Sequence, residues 1–274
     1  MKSFGYIFLS VISLILFSVQ YAGAQENFEL ILNEEFKDTV LNRELWQTKY
    51  TWGRTISSNH ELEYYTDRGN IKIDSGILQL IARRENITAK IDSTLADTFA
   101  FPNRQNLSSY NYTSGMLCSK QEFKYGKFEI RCRMPKGAGM WPAFWLYGGW
   151  PADEIDIMEY RGEWQKRASC GVHSYDSTKY RRSGKWTKFA SKNFSRQFHT
   201  FTCYWYPDVI IFEVDGKETF RFNTPYPNQY KRPERLIVNL AVGSGLAFSG
   251  PPKEKDVFPK SFEVDYIKVW RLKQ

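Results

Sequence analysis

Trp150-Pro151-Ala152-Asp153-Glu154-Ile155-Asp156-Ile157-Met158-Glu159-Tyr160 is the stretch on which the reading of this chain turns. Ile155 and Ile157 alternate with Glu154 and Asp156, so a strand here has one apolar face and one acidic face. The order then slips, because Met158 stands where the next acid would fall. In a strict strand Glu159 would point away from Glu154. A one-residue β-bulge near Ile157-Met158 absorbs the slip and returns Glu159 to the acidic face.

Outward from that strand, nearly every segment reads the same way. Ile77-Leu78-Gln79-Leu80-Ile81-Ala82 follows the turn residues Asp74-Ser75-Gly76, and Lys127 to Arg133 alternates up to Pro135-Lys136-Gly137. Val209 to Val214 meets Asp215-Gly216, the strongest short hairpin signal in the chain. Phe262 to Trp270 closes it. Helical periodicity is nearly absent. Many short strands punctuated by turns predict an all-β sandwich or barrel, and two packed antiparallel sheets fit the length.

Residues 1–24 stand outside this pattern. Lys2, the apolar run Tyr6 to Val19 and Ala22-Gly23-Ala24 before Gln25 have the order of a cleaved signal peptide. The run is short for a membrane span, which needs roughly 18 residues or more, and no later segment is long and apolar enough. Residues 25–274 are therefore expected to form one domain, secreted or periplasmic, with no membrane partner. No linker, hinge or repeat divides them.

Aromatic residues make up 17% of the chain. They favour strands, and some can also line a groove and stack on sugars. The formal charge of +8 is concentrated at Lys179-Tyr180-Arg181-Arg182, Lys185 and Lys188. Such a run is either a solvated loop or a surface for an anionic polymer. Cys118, Cys132, Cys170 and Cys203 match no zinc spacing. Export permits disulfides, three pairings are open, and buried free thiols fit equally well.

The acid strand carries the chemistry. With the bulge, Glu154 and Glu159 lie about four strand steps apart, roughly 13 Å along the backbone. Side chains leaning inward bring the carboxyl groups to about 5 Å, close to the spacing a nucleophile and an acid/base need for glycoside hydrolysis with retention. Asp156 between them would push the two pKa values apart. A solvated acidic face or a calcium site is the plainer reading of the same spacing. Trp141-Pro142-Ala143-Phe144-Trp145 just upstream adds aromatic surface beside the acids.

These residues closely resemble glycoside hydrolase family 16, in particular its laminarinase-like branch with the bulged acid strand. The likeness runs from about Leu30 to Trp270. Besides Glu154 to Glu159 it includes Gly139 to Leu146, Tyr125 to Arg131, Asn59 to Thr66, Phe198 to Phe201 and Val238 to Gly243. The resemblance implies a β-jelly roll whose concave sheet forms an open substrate cleft. It makes Glu154 the nucleophile, Glu159 the acid/base and Asp156 the assisting carboxylate. Trp141 and Trp145 would stack sugars, Glu129, Arg131, Asn59 and Asn239 would bind hydroxyls, and His173 would lie near the nucleophile. Catalysis would need no cofactor. A structural calcium would fall at Glu35, the Gly76 carbonyl and Asp265.

The departures bear on substrate. The family block Asn-Leu-Ala-Val-Gly usually continues to a Trp, whereas Gly243-Ser244-Gly245-Leu246-Ala247-Phe248-Ser249-Gly250 has none. The insert-like stretch Asp97 to Tyr112 and the basic run can also reshape the cleft. The expected function is a monomeric endo-β-glycanase acting on a β-1,3- or mixed-linkage glucan, with β-galactans such as agar, porphyran or poly-lactosamine as the alternative. A non-catalytic carbohydrate-binding relative is a further alternative, which loss of either Glu would have favoured; both are present. A basic nucleic-acid binder stacking bases on exposed aromatics is a third reading. The export signal and the clustered acids, which repel phosphates, argue against it, and the expected partner is a polysaccharide and not nucleic acid.

Overall fold

The computed structural model describes residues 27–90, 107–148, 153–176, 181–190, 193–224 and 229–273. The expected signal peptide at 1–24 lies outside them, as do residues 97–106 of the insert-like stretch and Lys179. Among the described residues no helix is long and apolar enough to cross a membrane.

Among the described residues seventeen strands form two sheets. The seven-stranded sheet runs β12 (Arg181–Ala190), β11 (Arg167–Asp176), β10 (Glu154–Tyr160), β9 (Met140–Tyr147), β16 (Glu234–Val242), β7 (Met116–Phe123), β2 (Trp46–Gln47). The ten-stranded sheet has the central path β15 (Lys217–Asn223), β14 (Val209–Val214), β13 (His199–Trp205), β8 (Gly126–Arg133), β17 (Lys260–Leu272), β5 (Ile77–Lys90), β6 (Leu107–Ser114), β3 (Glu63–Tyr65). β1 (Phe28–Glu34) joins it at β17 and β4 (Ile71–Asp74) at β5. Among the described residues pairing is antiparallel except between β3 and β6.

Period-two alternation places the core. β8 buries Phe128, Ile130 and Cys132 and leaves Lys127, Glu129, Arg131 and Arg133 less covered. Across from it, Ile155, Met158, Leu146, Phe144, Val238 and Leu240 fill the space between the sheets. Two hairpins follow their turn chemistry. Asp215 and Gly216 take φ 50° and 75°, and Ser75 and Gly76 take φ 53° and 76°. Positive φ at both central residues matches the right-handed twist of the flanking strands. The four cysteines are buried free thiols, which settles the question their spacing left open.

Candidate active site

The carboxylate strand β10 carries the expected bulge. Asp156 pairs with Trp145 of β9, but the next pairs are Met158 with Phe144 and Glu159 with Ala143, so Ile157 is the extra residue. The same slip appears against β11, between Asp156 opposite Gly171 and Glu159 opposite Ser169. Ile157 and Met158 both turn into the core, 2% and 0% exposed. Glu154, Asp156 and Glu159 therefore share the face of the seven-stranded sheet directed away from the core.

The three acids differ in surroundings. His173 stands opposite Glu154 in the ladder, and its Nε2 lies 3.1 Å from Asp156 Oδ2. Asp156 is buried, while Glu154 and Glu159 are half-buried. Glu159 accepts a hydrogen bond from the Trp141 indole N–H at 3.1 Å. Burial, followed by the charges of Asp156 and Glu154, pushes the Glu159 carboxyl up to about 8, while Trp141 and His173 pull the other way. A carboxyl that keeps its proton at neutral pH beside other carboxylates can act as a general acid, and its neighbour as a nucleophile.

An aromatic nest covers the adjoining part of this face. Tyr50, Tyr65, Met116, Cys118, Ala143, Trp145 and Ile237 form a second apolar cluster, with Trp52 and Tyr147 packed on it. Tyr50 stacks on Trp52 at 4.8 Å, and Trp145 stacks on Tyr147 at 5.7 Å. Trp145 donates to Asn239 Oδ1 at 2.8 Å, and the Asn239 amide donates to the Tyr65 hydroxyl at 2.9 Å. On the Glu159 side, Phe248 lies 5.3 Å from Trp141. Arg161 sits over both Trp164, at 4.3 Å, and Phe248, at 4.2 Å. Segment 243–250 reaches this place by folding back tightly: a Cβ on Gly243 would stand 2.1 Å from the Ser249 carbonyl.

Several expected roles change. Glu129 and Arg131 are on the outer face of the other sheet, where Glu129 binds Lys127, Thr202 and Tyr266 and Arg131 pairs with Asp265. The thickness of the sandwich separates them from the acids, so they cannot bind a sugar in this cleft. Asn239 is buried with both ends of its amide engaged, and it holds the nest rather than offering an open hydroxyl contact. Trp141 and Trp145 are 9% and 7% exposed, so neither presents a broad face for stacking. Asn59 lies in the exposed turn Ser57–Asn59 and donates to Glu61 Oε1 at 3.2 Å.

The calcium trio also meets competition. The Glu35 carboxylate is paired with Lys37 and Lys268, whose hydrogen bonds hold it below the usual carboxylate range. Asp265 faces Arg131, and Gly76 is the positive-φ residue of the β4–β5 turn. A calcium ion needs six or more oxygens and would have to displace these cations, so the arrangement does not favour one. Glu154, Asp156 and His173 bring donor atoms within 4.8 Å of one another. His173 is already directed at Asp156, however, which suits a proton-holding pair as well as a cation site.

Phe248, Arg161 and Trp164 were not picked out from the sequence. Phe248 is the one aromatic in the segment lacking the expected Trp, and Arg161 follows the acid motif directly; those were the available signals.

Residues 82–267 match the family model described as glycosyl hydrolases family 16. The chain is 31% identical over 273 residues to glucan endo-1,3-beta-glucosidase A1 of Niallia circulans, covering 88% of this chain and 38% of that protein. It is 32% identical over 246 residues to a glucan endo-1,3-beta-glucosidase of Cryptopygus antarcticus, covering 80% and 82%. Among solved structures it resembles an endo-beta-1,3-glucanase from Pyrococcus furiosus with a TM-score of 0.74 and 32% identity, over 89% of this chain and 95% of that one. The chain spans about half the length, or less, of several curated relatives that it matches.

Proposed function

The chain belongs to glycosyl hydrolase family 16, and from that membership we propose that it is an endo-β-glycanase cleaving a β-1,3- or mixed-linkage glucan with retention of anomeric configuration. The observation that carries the mechanism is the bulge at Ile157, which gathers Glu154, Asp156 and Glu159 on one face. Glu154 attacks the anomeric carbon, forming a covalent glycosyl-enzyme, as Glu159 protonates the departing glycosidic oxygen. Glu159, now ionised, then takes a proton from water, which attacks the anomeric carbon and releases Glu154. Asp156, paired with His173, maintains the charge difference between the two Glu residues.

The glucan preference rests on the similarity to proteins described as endo-1,3-beta-glucanases. Export rests on the leader-like residues 1–24. Incubation of residues 25–274 with laminarin, mixed-linkage glucan, agarose and poly-lactosamine tests the reading, with the released oligosaccharides sized. Early oligosaccharides of mixed length from the glucans are expected. Release from the galactans alone would overturn the substrate assignment, and release from none would overturn the activity.

A further inference from the structure

A second concave surface lies away from the acid strand. It is a pocket of about 370 Å³ where the turn bearing Ser57, His60 and Glu61 meets Ser108 to Tyr112 of β6 and Ser244. Backbone and ring contacts hold its walls together. Leu62 N–H donates to the Val242 carbonyl at 2.8 Å, Val242 N–H donates to the Glu63 carboxyl at 2.6 Å, and the Tyr64 and Tyr110 rings are 5.2 Å apart. Glu159 and Asn239 both pair with Ala143, and Val242, which bonds to Leu62 and Glu63, ends β16 three residues beyond Asn239. Two strand spacings across and three residues along put this wall of the pocket about 14 Å from Glu159 at the backbone.

The lining selects a ligand class. The chain carries a formal charge of +8, yet among the described residues no Lys or Arg lines this pocket. What it offers are serine and tyrosine hydroxyls, the Asn111 amide, His60 and the Glu61 carboxyl. A sulfate or phosphate would be desolvated there without a cation to pair with. A pyranose has the matching features: hydroxyls that both donate and accept, and C–H faces that rest on tyrosine rings. Ser109, Asn111 and His60 are exposed, so a ligand can reach them.

We propose that this pocket is an auxiliary glycan site, which takes neutral sugar units of the polymer remote from the bond being cut. Deepening the hydrolase reading, on which it rests, it supplies a second hold that keeps a long chain on the protein between cleavages. Two holds on one chain raise the local concentration of the next bond to be cut.

Two variants test it, Ser109→Trp to fill the pocket and Tyr110→Ala to remove a ring. Each is assayed on long glucan and on an oligosaccharide too short to reach from cleft to pocket. Gel retardation by immobilised glucan is measured for the same changes in a Glu154→Gln background, and melting curves check the fold. The expected result is a loss of about fivefold or more in kcat/KM on polymer, little change on the oligosaccharide, and weaker retardation. Unchanged polymer kinetics and retardation in both variants would overturn the proposal. So would an equal loss on both substrates, which would make these residues part of the cleft or of the fold. A parent chain that cleaves nothing sinks the hydrolase reading, while retardation still reports on the pocket.

Discussion

Trp141 donates its indole N–H to Glu159 Oε1 at 3.1 Å, across the β9–β10 pair where Glu159 stands opposite Ala143. This bond stabilises the ionised carboxylate, whereas burial and the charges of Asp156 and Glu154 stabilise the protonated form. The second group of effects prevails, leaving the carboxyl at about 8. Trp141 thus acts on the proton of Glu159 rather than as an open stacking surface.

The pH dependence should show this balance. If Glu159 is the general acid, kcat/KM falls as pH rises through about 8. Trp141→Phe removes a contact that lowers the Glu159 pKa, so the alkaline limb should move to higher pH. Rate profiles from pH 5 to 10 for both proteins decide it. A limb that stays in place or moves down would remove Trp141 from this role.

Glu154→Gln should abolish turnover and leave the melting temperature nearly unchanged, because a half-buried carboxylate on an open face adds little stability while the nucleophile is indispensable. Azide should restore part of the activity of Glu154→Ala on an activated glycoside. A Glu154→Gln protein keeping about a tenth of the rate, equivalent to only 1.4 kcal/mol of barrier, would not fit a lost nucleophile.

Fresh hydrolysate should contain the β-anomer first. The bulge brings Glu159 to the face of Glu154, the arrangement for double displacement, whereas inversion needs a wider gap that admits a water. Proton magnetic resonance during the first minutes reads the anomer directly. Initial α-anomer would reverse the assignment of Glu154.

The acid strand was legible because its pattern contradicts itself: Met158 breaks the alternation, and a bulge is the simplest repair. Asp215-Gly216 was legible as a hairpin because both residue types suit positive φ at the central positions, whereas Asp74-Ser75-Gly76 was legible only as a turn before β5, since Ser75 does not announce its positive φ. Glu129 and Arg131 misled because alternation tells which residues share a face but not which sheet the strand joins. Pairing of β8 with β13 and β17 is a long-range event with no local signature. Trp145 and Asn239 were placed near the acids, but their burial depends on Tyr50 and Tyr65, which come from a distant part of the chain.

Glu234 supplies a stability prediction. It is fully buried at the start of β16, and neither carboxyl oxygen has a hydrogen-bond partner among the described residues. Burial, followed by the charges of Asp153, Glu154 and Asp156, pushes its carboxyl well above the ordinary range. A raised pKa in the folded state means its contribution is fully present below the unfolded value and is lost as pH climbs. Glu234→Gln cannot ionise, so its melting temperature relative to the parent should rise between pH 5 and pH 8. Each kcal/mol is worth about 2–4 °C in a domain of this size. A difference that stays flat or shrinks with pH would mean that Glu234 is ionised and paired in the fold.

Trp145 and Trp141 should separate cleanly when changed. Trp145 lies inside the aromatic nest, stacked on Tyr147, edge-on to Tyr50 at 6.1 Å and hydrogen-bonded to Asn239. Trp145→Ala opens a cavity there, leaves Asn239 Oδ1 without its donor and frees the Asn239–Tyr65 contact to shift. Truncating a buried Trp costs about 3–5 kcal/mol, a fall of about 6–20 °C at this chain length. Activity should fall mainly through loss of folded protein, so that kcat per folded molecule, counted by active-site titration, changes much less than Tm. Trp141→Phe keeps the ring against Phe248 and removes only the donated hydrogen bond. It should melt within a few degrees of the parent, its effect appearing in the pH profile instead. An unchanged melting temperature for Trp145→Ala, with KM raised several-fold, would move Trp145 from the nest to the substrate wall.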